Sequence, residues 1–192
     1  VLDPARPAVF VDTDAVKAVE SRADTLVENR AEAEWIVRMS DMLIQANVAA
    51  ADIGILTPYR QQAKLLRDRC ACEVLTVDQA QGRDWPVVLV SLVRSNKTHT
   101  VGELLRDQRR VNVMITRAKT KLVLVGSYST MSHGPCTEPM PALLPLLRMI
   151  QPKEPADIPV HVSPGRQRYV KKARRPTPVV TDLLNEQDCI AE

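Results

Sequence analysis

At 192 residues the chain is long enough to bury one real core, with length left over for extra segments. Aromatic residues make up 3% of it, with a single Phe, so that core must be built from Val, Leu, Ile, Met and Ala. A net charge of +3 is too near neutral for the chain as a whole to declare a polyanion partner, and no apolar run approaches the ~20 residues of a membrane span, so no membrane partner is expected.

The four cysteines stand at 70, 72, 136 and 189. Cys70-Ala-Cys72 is not a CxxC pair and has no His at ligand spacing, so no metal site is expected. Reduced, buried thiols in an intracellular compartment are the reading instead. No signal-peptide pattern opens the chain, and Val1 in place of Met points to a piece of a longer polypeptide.

The run AVFVD at 8–12 predicts a first strand, and the polar stretch DTDAVKAVESRADTLVEN a loop with a partial helix. From Asn29 a helix is predicted to near Asn47: Asn29 is a good cap and Glu32 stands three residues on, as in a capping box. Trp35, Ile36, Met39, Met42 and Leu43 fall on its apolar face. Ile53 to Thr57 reads as a strand stopped by Pro58, which can open the helix carrying Gln62, Leu65, Leu66 and Arg69. Glu73 to Val77 is another strand. It feeds the stretch VDQAQGRDWPVVLVSLVRSN, whose apolar run Val87 to Val93 predicts a fully buried strand of a parallel sheet.

Beyond a polar loop, Glu103 to Thr120 reads as one helix with Val111, Met114, Ile115 and Ala118 facing the sheet. Arg110 and Arg117 lie two turns apart on one flank of that stripe, roughly 10 Å along the axis. Residues 121–126, KLVLVG, predict a last strand. The pattern as a whole predicts an α/β fold, a parallel sheet flanked by helices.

After Ser127 the composition shifts, and ten of the 14 prolines fall between 135 and 178. A boundary is expected near 151: a domain over 1–150, then a Pro-rich, basic and disordered tail over 151–192. Leu143 to Ile150 looks helical, and Thr181 to Asn185 can form a single turn. Within SPGRQRYVKKARRPTP, at 163–178, there are six basic residues and no acid. That segment reads as a salt-sensitive nucleic-acid tether or as a nuclear localisation signal.

Three connections carry candidate chemistry. In GILTPYRQQ, Thr57 and the free backbone donors after it are suited to a phosphate oxygen, or the turn serves Pro58 alone. In TVDQAQGRD, Gly82 lets the backbone approach a ligand, and Gln81 and Asp84 can hydrogen-bond a sugar or an attacking water, or the segment is an ordinary polar turn. In RRVNVMITRAK, two permanently charged guanidinium groups beside a buried stripe suit an anion, and arginine neutralises a transferring phosphoryl group. The alternative is a solvated flank paired with Glu103 or Asp107. In LVRSN, Arg94 and Asn96 can reach nucleic acid or be plain loop.

Taken in order, ADIGILTPYRQQ, TVDQAQGRDWPVVLVSLVRSN and VGELLRDQRRVNVMITRAK resemble motifs IV, V and VI of superfamily-one helicases of the subgroup that includes the RNA-surveillance helicases. The resemblance runs from about Pro7 to Gly126 and is nearest to the flap-processing helicase/nucleases of DNA replication. It implies a RecA-like second motor domain, related to the P-loop NTPases. Arg117 would be the arginine finger for the γ-phosphate of ATP, Arg110 its support, and Gln81 part of the hydrolysis machinery. Gly82 and Asp84 would touch the nucleotide, while Thr57, Thr76, Arg94 and Asn96 would lie along single-stranded DNA.

ATP with Mg²⁺ would be held mainly by a first RecA-like domain upstream, because GxxxxGK[ST] is absent here. The nuclease and an iron–sulfur cluster would also lie upstream. The implied function is the C-terminal motor half of a 5′-to-3′ DNA helicase, inactive alone, acting on single-stranded or flap DNA in the nucleus, with mitochondria a second candidate site and replication and repair proteins candidate partners. An RNA helicase of the surveillance type, or a non-catalytic nucleic-acid-binding module on a degenerate motor fold, are the alternatives.

Overall fold

The computed structural model describes residues 5–23, 26–132, 143, 147, 150 and 152–153. All of them belong to Val1–His161, the first of two units into which the chain divides. The basic segment 163–178 and the turn expected at 181–185 lie outside the described residues.

Among the described residues, six strands form one sheet: β1 (Ala8–Asp12), β4 (Ile53–Thr57), β5 (Glu73–Thr76), β6 (Trp85–Ser91), β7 (Ala118–Gly126) and β8 (Pro152–Lys153), in the order β5-β4-β6-β7-β1-β8. Every neighbouring pair is parallel. The fold is therefore the expected α/β sheet, and β8 lies just past the boundary placed at 151. In the stretch expected to be a loop with a partial helix, a 3-10 turn at Asp14–Val16 is present, and a separate antiparallel pair, β2 (Ser21–Ala23) with β3 (Leu26–Glu28), stands where plain loop was expected.

Alternation along the strands sorts the core into two layers. Val88 and Val90 of β6 face one cluster with Leu122 and Leu124 of β7. Leu105 of α3 (Glu103–Arg106), Val111 and Met114 of α4 (Gln108–Thr116) and Met131 of α5 (Tyr128–Ser132) close over it. Val87 and Leu89 face the other cluster, covered by Ile36, Met39 and Leu43 of α1 (Arg30–Gln45) and Ala63 and Leu66 of α2 (Arg60–Arg67). A sheet covered on both faces explains why its strands read as continuous apolar runs. Leu143 and Leu147, at helical spacing, are buried in the first cluster. The rest of the helix expected around them lies outside the described residues. Among the described residues no helix is long and apolar enough to cross a membrane.

The helix expected over Glu103 to Thr120 is corrected at two points. Asp107 adopts extended backbone between α3 and α4, and its carboxylate accepts from Arg109 N at 2.9 Å, so it caps a new helix instead of continuing the old one. At the other end, Ala118 to Thr120 belong to β7, which makes Arg117 the C-cap of α4. Ala118 therefore lies on a strand, not on the helical stripe. The short α5 has no counterpart in the sequence pattern. Asp12 and Asp14 tie its start by accepting from Tyr128 N and Ser129 N.

Candidate functional site

Parallel strands put all their carboxyl ends at one edge of the sheet, and the candidate residues divide between the two edges. Thr57 and Thr76 end β4 and β5 and stand opposite each other in register, and Arg94 and Asn96 follow the end of β6. Asp84 precedes β6 and Arg117 precedes β7, so these two lie at the amino edge with Gly82 and Gln81 nearby. The segment Val77 to Asp84 must therefore run from the carboxyl edge back to the amino edge. Its first part is a 3-10 turn, Val77–Ala80, and α4 packs against it.

At the amino edge, Trp85 N donates to the Arg117 carbonyl at 3.0 Å, which joins the start of β6 to the end of α4. Trp85 pairs with Ala118 and Val87 with Lys121, so β7 carries one extra residue across from Pro86. Such a bulge bends a strand and re-aims the side chains beside it. Trp85 is buried with its ring over Gly54. A Cβ at Gly54 would fall inside that ring, so only glycine leaves the room.

Arg117 folds along the end of α4. Its Nε donates to Val113 O at 3.2 Å, its Nη2 to Thr116 Oγ1 at 3.0 Å, and its Nη1 to Asp84 Oδ1 at 2.9 Å. Arg110 reaches the other end of the same segment. Its Nε donates to Asp78 Oδ1 at 2.9 Å, and its Nη1 to Asp107 Oδ2 at 3.1 Å. The alternative pairing with Asp107 is thus present, but Asp78, a residue not singled out from the sequence, shares the guanidinium. Both arginines face the 77–84 segment. Gly82 there has φ +78°, and a Cβ built on it would meet nothing within 4 Å. Gln81 is exposed beside it. The arrangement offers an open glycine, an amide side chain and a guanidinium to a polar ligand arriving at the amino edge. It offers no phosphate cradle, and among the described residues no three His, Cys, Asp or Glu side chains gather as a metal site.

The carboxyl edge is different in kind. Thr57 is fully buried, and its Oγ1 accepts from Tyr59 N at 3.4 Å. Thr76 forms a capping box with Gln79, whose Oε1 accepts from Thr76 N at 3.1 Å. Arg94 is buried too: its Nε donates to Glu20 Oε2 at 2.8 Å, with the two side chains 7% and 8% exposed. Its Nη1 occupies the space where a Cβ of Gly102 would sit, and Gly102 has φ +77°. Asn96 Nδ2 donates to Glu20 and to Thr100 O, while its Oδ1 accepts from Thr98 Oγ1 and Thr100 N. The four side chains share one edge, yet their polar atoms serve the protein's own loops. Burial pushes the Glu20 carboxyl up, but Arg94, Asn96 and the Ser95 N–H outweigh it and hold it below the usual carboxylate range.

Glu32, expected to close a capping box on Asn29, does not. Asn29 does cap α1, accepting from Glu32 N at 3.0 Å, but its own N–H goes to Gln62 Oε1 at 2.8 Å. The Glu32 carboxyl is wholly buried against the end of β6, and desolvation pushes it up to about 8. Cys70 and Cys72 are free thiols that burial pushes up to about 11 and about 12, so they stay protonated.

Comparison with known proteins agrees with this architecture. A family model described as an AAA domain matches residues 1–129. The chain belongs to the AAA domain family. Three similar proteins are named DNA replication ATP-dependent helicase/nuclease. DNA2 of Homo sapiens is 47% identical over 149 residues, covering 75% of this chain and 14% of that protein. JHS1 of Arabidopsis thaliana is 42% identical over 140 residues, 70% of this chain and 10% of that protein. DNA2 of Saccharomyces cerevisiae is 37% identical over 142 residues, 70% of this chain and 9% of that protein. The chain thus spans between 9% and 14% of these relatives' length.

Proposed function

We propose that this chain is the C-terminal motor half of an ATP-dependent 5′-to-3′ DNA helicase/nuclease, and that Arg117 is its arginine finger. One observation carries the reading: Arg117 sits at a helix-to-strand junction, fixed through its carbonyl and side chain, with its guanidinium on Asp84, two residues after the open Gly82. A fixed positive charge at the edge of a sheet is what a developing negative charge on a terminal phosphoryl requires. ATP and its Mg²⁺ are held mainly by an upstream RecA-like domain. Arg117 meets the terminal phosphoryl, while Gly82, Asp84 and Gln81 line the same edge and Arg110 steadies the 77–84 segment. The names of the relatives favour DNA, single-stranded or flapped, over RNA.

The carboxyl edge grips the strand through the loops that Thr57, Thr76, Arg94 and Asn96 shape. Iron–sulfur ligation falls to a region outside this chain, since Cys70-Ala-Cys72 lacks the spacing of a ligand pair. A nuclear site of action, with a mitochondrial one second, follows from a replication and repair role. The test is Arg117→Ala in a full-length protein: ATP turnover falls by about 10³-fold or more while nucleotide still binds. Retained turnover rejects the finger assignment.

A further inference from the structure

Four non-glycine residues among those described have positive φ, and Val93, at 71°, is the β-branched one. That conformation is a genuine outlier for Val and persists only where its surroundings hold it. Here both polar groups of Val93 are held from the first turn of α1. Its N–H donates to Glu32 Oε2 at 2.6 Å, and its carbonyl accepts from Asn29 Nδ2 at 3.2 Å.

The two holders are themselves locked. Gln62 takes both backbone groups of Asn29, accepting from its N–H at 2.8 Å and donating to its carbonyl at 3.0 Å. The same Gln62 amide donates to Ser91 Oγ at 3.0 Å, and the Ser91 hydroxyl donates to Glu32 Oε2 at 3.0 Å. Asn29, Gln62, Ser91, Glu32 and Val93 close a ring of buried side chains and backbone between α1, α2 and the end of β6.

Directly after this turn the chain delivers Arg94 to Glu20 and Asn96 to Glu20 and Thr100. A relaxed backbone at Val93 would send Arg94 elsewhere, because φ at that residue sets the direction of everything behind it.

We infer that Asn29 and Glu32 are positioning residues: they hold Val93 in its left-handed turn and so aim the Arg94–Asn96 loop that forms the strand grip at the carboxyl edge. The inference rests on the reading of that edge given under Proposed function. Burial keeps the Glu32 carboxyl protonated near neutral pH, so the change Glu32→Gln keeps the acceptor oxygen and a similar shape.

The experiment compares Glu32→Gln, Glu32→Ala and the double variant Glu32→Ala/Val93→Gly in a full-length protein. It reads amide hydrogen exchange over residues 92–96 and the affinity for a fluorescein-labelled oligo-dT strand. Glu32→Ala loses protection over 92–96 and weakens oligo-dT binding about tenfold. Glu32→Gln stays near the parent. Glycine in place of Val93 accepts positive φ without strain, so the double variant recovers most of the affinity. Unchanged protection in Glu32→Ala overturns the positioning role. Lost protection with unchanged oligo-dT affinity overturns the carboxyl edge as the strand grip while the hold on Val93 stands. If Glu32→Ala alone does not fold, the double variant decides: folded protein with near-parental affinity supports the inference, and failure to recover overturns it.

Discussion

Arg117 and Asp84 meet across the amino edge of the sheet, Nη1 to Oδ1 at 2.9 Å, with side chains 22% and 46% exposed. Half-exposed pairs add little stability, typically under about 1 kcal/mol, because water and salt screen them. Asp84→Asn should therefore leave the urea midpoint of this chain almost unmoved. In a full-length protein the same change should slow ATP turnover by up to about 10²-fold, the cost of a guanidinium held slightly out of place. A large stability loss, or undiminished turnover, would show that the pair is structural only.

Gly54→Ala should be costly although it adds a single methyl group. The new Cβ falls on the buried ring of Trp85, which cannot swing away without disturbing the bulge across from Pro86. Overpacking of this kind costs about 1–3 kcal/mol, measurable by urea denaturation. Replacing Trp85 by Phe in the same chain should relieve part of it.

Glu32 makes stability depend on pH in a stated direction. Its carboxyl ionises near 4.5 when unfolded and near 8 when buried, so between those values the folded state holds a proton that the unfolded state has released. Its contribution is complete below 4.5, declines as pH rises, and is lost above about 8. Glu32→Gln removes this slope, so the variant should gain on the parent by up to a few kcal/mol, order of magnitude, between pH 5 and 9. Parallel stability profiles over that range would contradict a protonated buried carboxyl.

Arg94→Ala should destabilise the chain by about 3–5 kcal/mol, since it strands the buried carboxylate of Glu20. Removing both partners, Glu20→Ala/Arg94→Ala, should recover part of the loss. Because the Glu20 carboxyl is held below its usual range, the stability from the pair is complete at neutral pH. It is lost as pH falls through that lowered value. Thermal unfolding of the four-member mutant cycle gives the coupling directly.

The strands and the two helix layers were legible because a sheet buried on both faces writes itself as runs of Val, Ile and Leu. The end of α4 was not: Arg117, Ala118, Lys119 and Thr120 carry no strand signal of their own, and of the last three only Ala118 pairs in register with β6, on Trp85, while Lys119 and Thr120 form the bulge across from Pro86. Glu32 matches the capping-box spacing from Asn29, which hides its other role. The better clue is its place in the stripe 32, 36, 39, 43, where a carboxyl must go into the core. Glu20 lies in a stretch without pattern, and its partner Arg94 stands 74 positions away, a pairing that no local signal contains. The three motifs located the candidate residues, but not their division between opposite edges, which follows from strand direction alone.

That division has a mechanical consequence. Val77 to Asp84 touches both edges, with Thr76 at one end and Asp84 at the other, and Arg110 and Arg117 pin it at two places along its length. Eight consecutive residues spanning a close-packed sheet have little slack. A tug on the Arg117 end is handed to the Thr76 end as displacement of a taut cord, so the nucleotide and strand sites proposed for the two edges would be joined by chain length itself.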